Sequence, residues 1–193
     1  SELRAKYHLP QKDPFLLILQ HSDSTIPQKS GSQMAETIAA VMATGLRAMF
    51  VYPCSDQGFE GIITQIDRIS EKAQVSVHRN IPAPDFIGLQ KLAACLVGNS
   101  SAALIEAPYF ALPSVNIGDR QRGRERVENV IDVGYRRHAI QAAIEHAVSN
   151  SEFRQKLLKI QPPFGSGDAH KKITRVLEEV PIDQALLNKR MTY

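Results

Sequence analysis

Cysteine is scarce in this chain: Cys54 and Cys95 are the only two among 193 residues. Both sit in apolar runs and have no metal-ligand spacing. That excludes a disulfide framework, predicts no metal site, and fits a reducing cytosol, so a cytoplasmic protein is expected. An excess of one charge is also missing. Lys+Arg 23 against Asp+Glu 20 leaves a formal +3 with the signs interleaved, which argues against nucleic acid as the main partner. No apolar stretch approaches the roughly 20 residues needed to span a bilayer, so no membrane partner is expected. No signal-peptide pattern opens the chain. The chain starts at Ser1 rather than Met and opens on a polar, helix-like piece, SELRAKYHLP. The expectation is a piece cut from a longer protein. Internal repeats and low-complexity segments are absent.

What is present alternates regularly. Short apolar runs read as strands at Phe15 to His21, Ala48 to Pro53, Val75 to Arg79, Cys95 to Gly98, Pro113 to Gly118 and Val127 to Gly134. Between them lie segments of helical period. Ser32 to Thr44 places Met34, Ile38, Val41 and Met42 on one side and has Gly45 as a stop. Phe59 to Ser70 aligns Ile62, Ile63, Ile66 and Ile69. Further helices are expected from Pro84-Asp85 to Leu92, Ala102 to Phe110, Arg137 to Val148, Glu152 to Leu158 and Ala169 to Glu179. The strands are continuous apolar runs rather than alternating ones, as a sheet covered on both faces requires. Strand–helix alternation implies parallel crossovers. The fold class is therefore α/β: a doubly wound, Rossmann-like parallel sheet spanning residues 1–180, with 181–193 as a C-terminal tail. Pro162 to Gly167 is the one linker-like break.

With strand order 3-2-1-4-5-6 the sheet reverses between the first and fourth strands, and ligands of such sheets bind at the carboxyl ends of the strands at that point. His21 ends the first strand there. Its imidazole could hold a phosphate oxygen or shuttle a proton, or it could simply be satisfied by the next loop. Gly98-Asn99-Ser100-Ser101 ends the fourth. Gly98 would let the backbone approach a ligand closely, and Ser100 and Ser101 open a helix, where free N–H groups favour an anion. Asn99 or Ser100 could instead be only an N-cap. Glu106 is a lone carboxylate on an apolar helix. It needs water, a cation or a donor, so it either accepts from ligand hydroxyls such as a ribose diol or lies on an exposed face. GDRQRGRER concentrates Arg120, Arg122, Arg124 and Arg126 after the fifth strand. Guanidinium forks suit phosphate, but a solvated loop or subunit contact accounts for most of them, and Arg120 stands out only by its closeness to the strand end. Asp56 and Gly58, after the second strand, read first as a plain turn.

LILQHSDS, FVYPCSDQG and above all LVGNSSAALIEAPYFALPSVNIGDRQRGRE resemble the C-terminal half of the UDP-N-acetylglucosamine 2-epimerases, and most nearly their hydrolysing branch, which feeds sialic acid and related nonulosonic acid synthesis. The likeness runs from about Leu3 to Ala147, and the non-hydrolysing branch differs after the fifth strand. The resemblance implies the C-terminal half of a GT-B architecture, with a partner N-terminal domain supplying the catalytic carboxylates. No paired-carboxylate constellation occurs in this chain. It implies a UDP-sugar substrate, no cofactor, and a homo-oligomer as an option. By the same resemblance His21 lies at the diphosphate and is the one catalytic residue the chain could supply. Ser100 and Ser101 bind phosphate, Glu106 the ribose hydroxyls, Asn80 lies near the uracil, and Arg120 approaches the nucleotide. The reaction implied is elimination of UDP to a glycal-type intermediate, then hydration that inverts the second carbon and releases an N-acetylmannosamine-type sugar. The chain departs from the family pattern twice: His21 is followed by Ser22-Asp23 rather than Pro, and Cys54 replaces a common Asn. Both leave the sugar open, including diacetamido-trideoxyhexose variants.

Overall fold

Six short strands form one parallel sheet in the order β3-β2-β1-β4-β5-β6. In this computed structural model, which describes residues 2–188, they are β1 (Phe15–Leu19), β2 (Arg47–Val51), β3 (Val75–His78), β4 (Cys95–Gly98), β5 (Ser114–Ile117) and β6 (Val130–Val133). The order is the one expected from the sequence. β1, β2, β3, β5 and β6 end one or two residues before the expected runs do, β5 and β6 also start later, and β2 starts one residue earlier, at Arg47.

The helices are α1 (Glu2–Lys6), α2 (Ser30–Ala43), α3 (Phe59–Asp67), α4 (Ala83–Leu92), α5 (Ala102–Ile105), α6 (Arg137–Ser149), α7 (Ser151–Leu157), α8 (Ala169–Glu179) and α9 (Gln184–Leu187). Alternate strand residues point into two separate cores. Leu16, Ile18, Phe50, Val97 and Val115 pack with Met34 and Ile38 of α2, Ile62 and Ile66 of α3 and Ile140 and Ile144 of α6. Phe15, Leu17, Met49 and Leu96 pack on the other face with Leu89 of α4 and Ala103 and Leu104 of α5. Burial on both faces is why the strands carry no polar alternation.

The helix expected over Ala102 to Phe110 is broken. Pro108 has no N–H to donate back to Leu104, so the α-helix stops after one turn and a 3-10 turn covers Ala107–Phe110. Gly98 makes a close backbone approach within the sheet itself. Its φ is +137°, and a Cβ there would collide with the backbone carbonyl of Leu19. The close approach that the glycine permits is that of β4 against the end of β1.

Residues 1–163 form one compact unit and 164–193 a second. The division falls at the Pro162 to Gly167 break. Of the expected tail, 189–193 lie outside the described residues. Within the second unit α8 is amphipathic and leaves Ile173, Val176 and Leu177 exposed. Among the described residues no helix is long and apolar enough to cross a membrane.

Candidate functional site

β1 and β4 are adjacent, and Leu19 pairs with Gly98. Two residues on from each, His21 and Ser100 leave the same carboxyl edge of neighbouring strands. The loops that follow β1, β2, β3, β4 and β5 therefore bring His21, Cys54, Asn80, Asn99 and Arg120 to one rim of the sheet, where the strand order reverses.

Asn99, 1% exposed, organises this rim. Its Oδ1 accepts the His21 backbone N–H at 2.7 Å, and its Nδ2 donates to the His21 carbonyl at 2.9 Å. Its own carbonyl accepts from Nε2 of the buried Gln121 at 2.7 Å and from Arg120 Nη1 at 3.4 Å. The side chain extends the β1–β4 ladder by one more pairing after the strands have ended. The sequence places Asn99 in the polar strand end that could serve phosphate, or as an N-cap, and does not indicate this clamp. Its signal was burial of a carboxamide at a strand end, which composition does not reveal.

His21 is half-buried. The Cys54 backbone N–H donates to its Nδ1 at 3.2 Å, and Cys54 Sγ lies 3.1 Å from the same nitrogen. A main-chain N–H can only donate, so Nδ1 carries the lone pair and the neutral ring holds its proton on Nε2. Burial, with the Arg120 charge nearby, lowers the His21 pKa to about 4, against a smaller opposing pull from Asp56. At neutral pH the unliganded site therefore holds an imidazole donor rather than an imidazolium.

Arg120 bridges the loops after β4, β5 and β2. Besides the Asn99 carbonyl it meets Asp56 Oδ2 at 3.2 Å. That oxygen also accepts from the Cys54 thiol at 3.2 Å. The thiol hydrogen bond and the guanidinium both hold the Asp56 carboxyl below its usual range, while burial and the Asp56 bond push the Cys54 thiol up. Asp56 thus does more than shape a turn. Among the other arginines, Arg126 forks onto Asp132 at 2.6 Å, and Arg122 and Arg124 are exposed.

Ser100 is buried and its Oγ accepts from the Ala102 N–H at 3.3 Å. The Ser100 and Ser101 N–H groups have no hydrogen-bond partner among the described residues. A single helical turn follows them, so local N–H donors matter here more than a helix dipole. Glu106 sits where α5 breaks. It is half-buried and accepts from Gln90 Nε2 of α4 at 2.6 Å. Asn80 is exposed and shares with His21 a cavity of about 310 Å³, lined also by Cys54, Arg79, Ile81 and Phe86. Phe86, an aromatic ring in the first turns of α4, escaped the sequence reading. A separate cavity of about 360 Å³ lies between Asp119, Arg122, Arg126 and Tyr135, and is lined by two of the four arginines of the loop after β5 but not by Arg120.

An open parallel sheet with polar side chains gathered at its reversal point defines a Rossmann-like ligand-binding domain of the α/β class. The chain belongs to the UDP-N-acetylglucosamine 2-epimerase family, whose model matches residues 1–178. It is 31% identical over 161 residues to the UDP-N,N'-diacetylbacillosamine 2-epimerase (hydrolyzing) of Legionella pneumophila, covering 83% of this chain and 41% of that protein. It is 27% identical over 180 residues to the UDP-N-acetylglucosamine 2-epimerase of Neisseria meningitidis, covering 93% of this chain and 46% of that one. Among solved structures, the Neisseria meningitidis UDP-GlcNAc 2-epimerase bound to UDP-GlcNAc superimposes with a TM-score of 0.75 at 17% identity, over 93% of this chain and 48% of that chain. The fold is that of the GT-B-like members of this family. The chain spans less than half the length of the curated relatives it matches.

Proposed function

We propose that this chain is the UDP-binding half of a hydrolysing UDP-N-acetylglucosamine 2-epimerase, one that releases UDP and an N-acetylmannosamine-type or related diacetamido sugar. The observation that carries the reading is the rim of the sheet. His21, the free N–H groups of Ser100 and Ser101, and Arg120 all leave the carboxyl edge at the reversal point, tied together by Asn99. A diphosphate needs several donors and positive charge in one place, and this rim supplies both.

In the proposed reaction a base removes the proton at the second carbon. Its electron pair forms the C1=C2 double bond, and the C1–O bond breaks to release UDP. Water then adds back across the double bond from the opposite face. His21, neutral and protonated on Nε2, donates to the phosphate oxygen that takes up charge as that bond breaks. Ser100 and Ser101 hold the phosphate, Glu106 accepts from the ribose hydroxyls, Asn80 lies beside the uracil, and Arg120 balances the diphosphate charge. The base belongs to an N-terminal domain. The exposed apolar side chains of α8, Ile173 at 59%, Val176 at 62% and Leu177 at 69%, suit a helix that such a domain covers.

The reading requires this chain alone to bind UDP without turning over UDP-sugar. The full-length protein should release free sugar and UDP with no acceptor present, measured by coupled UDP detection and sugar chromatography. Strict dependence on an acceptor would make it a glycosyltransferase instead. Absence of turnover in the full-length protein would leave a binding module.

A further inference from the structure

His21 and the pair Cys54 and Asp56 are separated by more than thirty residues, so no spacing motif joins them. The fold does. His21 Nδ1 lies 3.1 Å from Cys54 Sγ, and Cys54 Sγ lies 3.2 Å from Asp56 Oδ2. One ligand atom from each of the three falls within 4.8 Å of the other two. We propose that these three side chains form a site for a thiophilic divalent cation, of which zinc is the type.

The geometry fits with little movement. Zinc–nitrogen and zinc–sulfur bonds of about 2.0–2.3 Å at tetrahedral angles set ligand atoms about 3.3–3.7 Å apart. The His21–Cys54 and Cys54–Asp56 edges are already within a few tenths of an ångström of that. Only the His21–Asp56 edge needs to close. A nitrogen, a sulfur and a carboxylate oxygen form the mixed donor set that zinc accepts. The Nδ1 lone pair now accepts from the Cys54 N–H, and the metal displaces that single bond to take it. On binding, the Cys54 thiol gives its proton to solvent as the metal–sulfur bond forms. Thiolate and carboxylate then balance the dication. Arg120 gives up Asp56 and keeps its contact with the Asn99 carbonyl. Three protein ligands leave one position for an exchangeable water. Cys54 is exposed, so the ion has a direct path in.

The inference does not rest on the nucleotide reading, and its test needs no nucleotide. The reduced, chelator-treated chain is titrated with cobalt(II). One ion per chain should bind, with a sulfur-to-cobalt charge-transfer band, and zinc should displace it. Cys54→Ser should abolish the band and weaken zinc binding at least tenfold, and Asp56→Asn should weaken it as well. Circular dichroism establishes that each variant is folded. In the unsubstituted chain, zinc should protect the exposed thiol from a maleimide, a readout that needs no variant, because Cys95 is fully buried. Absence of the charge-transfer band, unchanged zinc affinity in Cys54→Ser, or an unprotected thiol would overturn the site. UDP binding measured in chelator stands or falls separately.

Discussion

The side-chain amide of Asn99 grips the backbone of His21 on both sides, accepting its N–H at 2.7 Å and donating to its carbonyl at 2.9 Å. The position of the imidazole is thus set by β4 as much as by β1. Both bonds are part-buried, and removing the amide leaves a main-chain donor and acceptor without partners. Asn99→Ala should lower unfolding free energy by about 2–4 kcal/mol, since each orphaned group costs roughly 1–3 kcal/mol. Asn99→Asp keeps the acceptor but loses the donor, and should fall between the two. Denaturant titration reads the difference. Equal stability of Asn99→Ala and the parent would mean that the clamp is not holding the rim.

His21 gives the chain a signed pH dependence. Its pKa is about 4 in the folded protein and about 6.5 in an unfolded chain. Between those values the unfolded state binds more protons, so stability rises with pH. The contribution is fully present above pH 6.5 and disappears as the pH falls through 4. Its size is on the order of 2 kcal/mol after allowance for solvent screening of a half-buried group. In metal-free, nucleotide-free protein the His21 ring proton resonance should titrate near pH 4. His21→Gln should flatten the stability profile between pH 4 and 6.5. A midpoint near 6.5 would mean that His21 makes no pH-dependent contribution to stability.

The sheet was legible because its strands are buried on both faces, and Phe15 to Leu19 or Cys95 to Gly98 carry no polar residue to suggest otherwise. Parallel pairing followed from crossover logic, and the strand order from taking the sheet as Rossmann-type. His21 and Arg120 were legible as candidates because a strand end is easy to place. Partnerships across loops were not. Asp56 looks like a turn residue until the fold sets Arg120 and Cys54 beside it. Glycine at Gly98 signals a close approach, but sequence does not say to what. The break after Ile105 was in principle readable from Pro108, and helical period in the flanking residues hid it.

The Arg120–Asp56 pair makes opposite predictions for its two members. Arg120 is the positive charge at the rim, and losing a charged hydrogen bond to phosphate costs about 1.5–3 kcal/mol, or roughly 10–150-fold in affinity. Arg120→Ala should weaken UDP binding by that factor. Asp56→Asn removes a negative charge near the diphosphate and releases the guanidinium, so it should tighten UDP binding several-fold. Calorimetric titration in chelator separates the two. The same direction of change in both variants would place the nucleotide elsewhere.

UDP itself should stabilise the chain. At a concentration a hundred times Kd, one bound ligand adds about 2.7 kcal/mol, which for a domain of this size raises Tm by roughly 5–10 °C. Replacing Ser100 and Ser101 together by alanine removes the hydroxyls but leaves the backbone N–H groups, so part of that rise should persist at high UDP and the apparent Kd should increase. Glu106→Ala removes the proposed ribose acceptor, and the rise should be lost with UDP while inorganic diphosphate, which has no ribose, behaves as it does with the parent. Gln90→Ala frees the Glu106 carboxylate from its partner at 2.6 Å without touching the phosphate donors. If Gln90 orients Glu106, this variant should weaken UDP and spare diphosphate in the same pattern. An unchanged UDP response in both the Ser100/Ser101 and the Glu106 variants would mean that the seam between α4 and α5 does not bind the nucleotide.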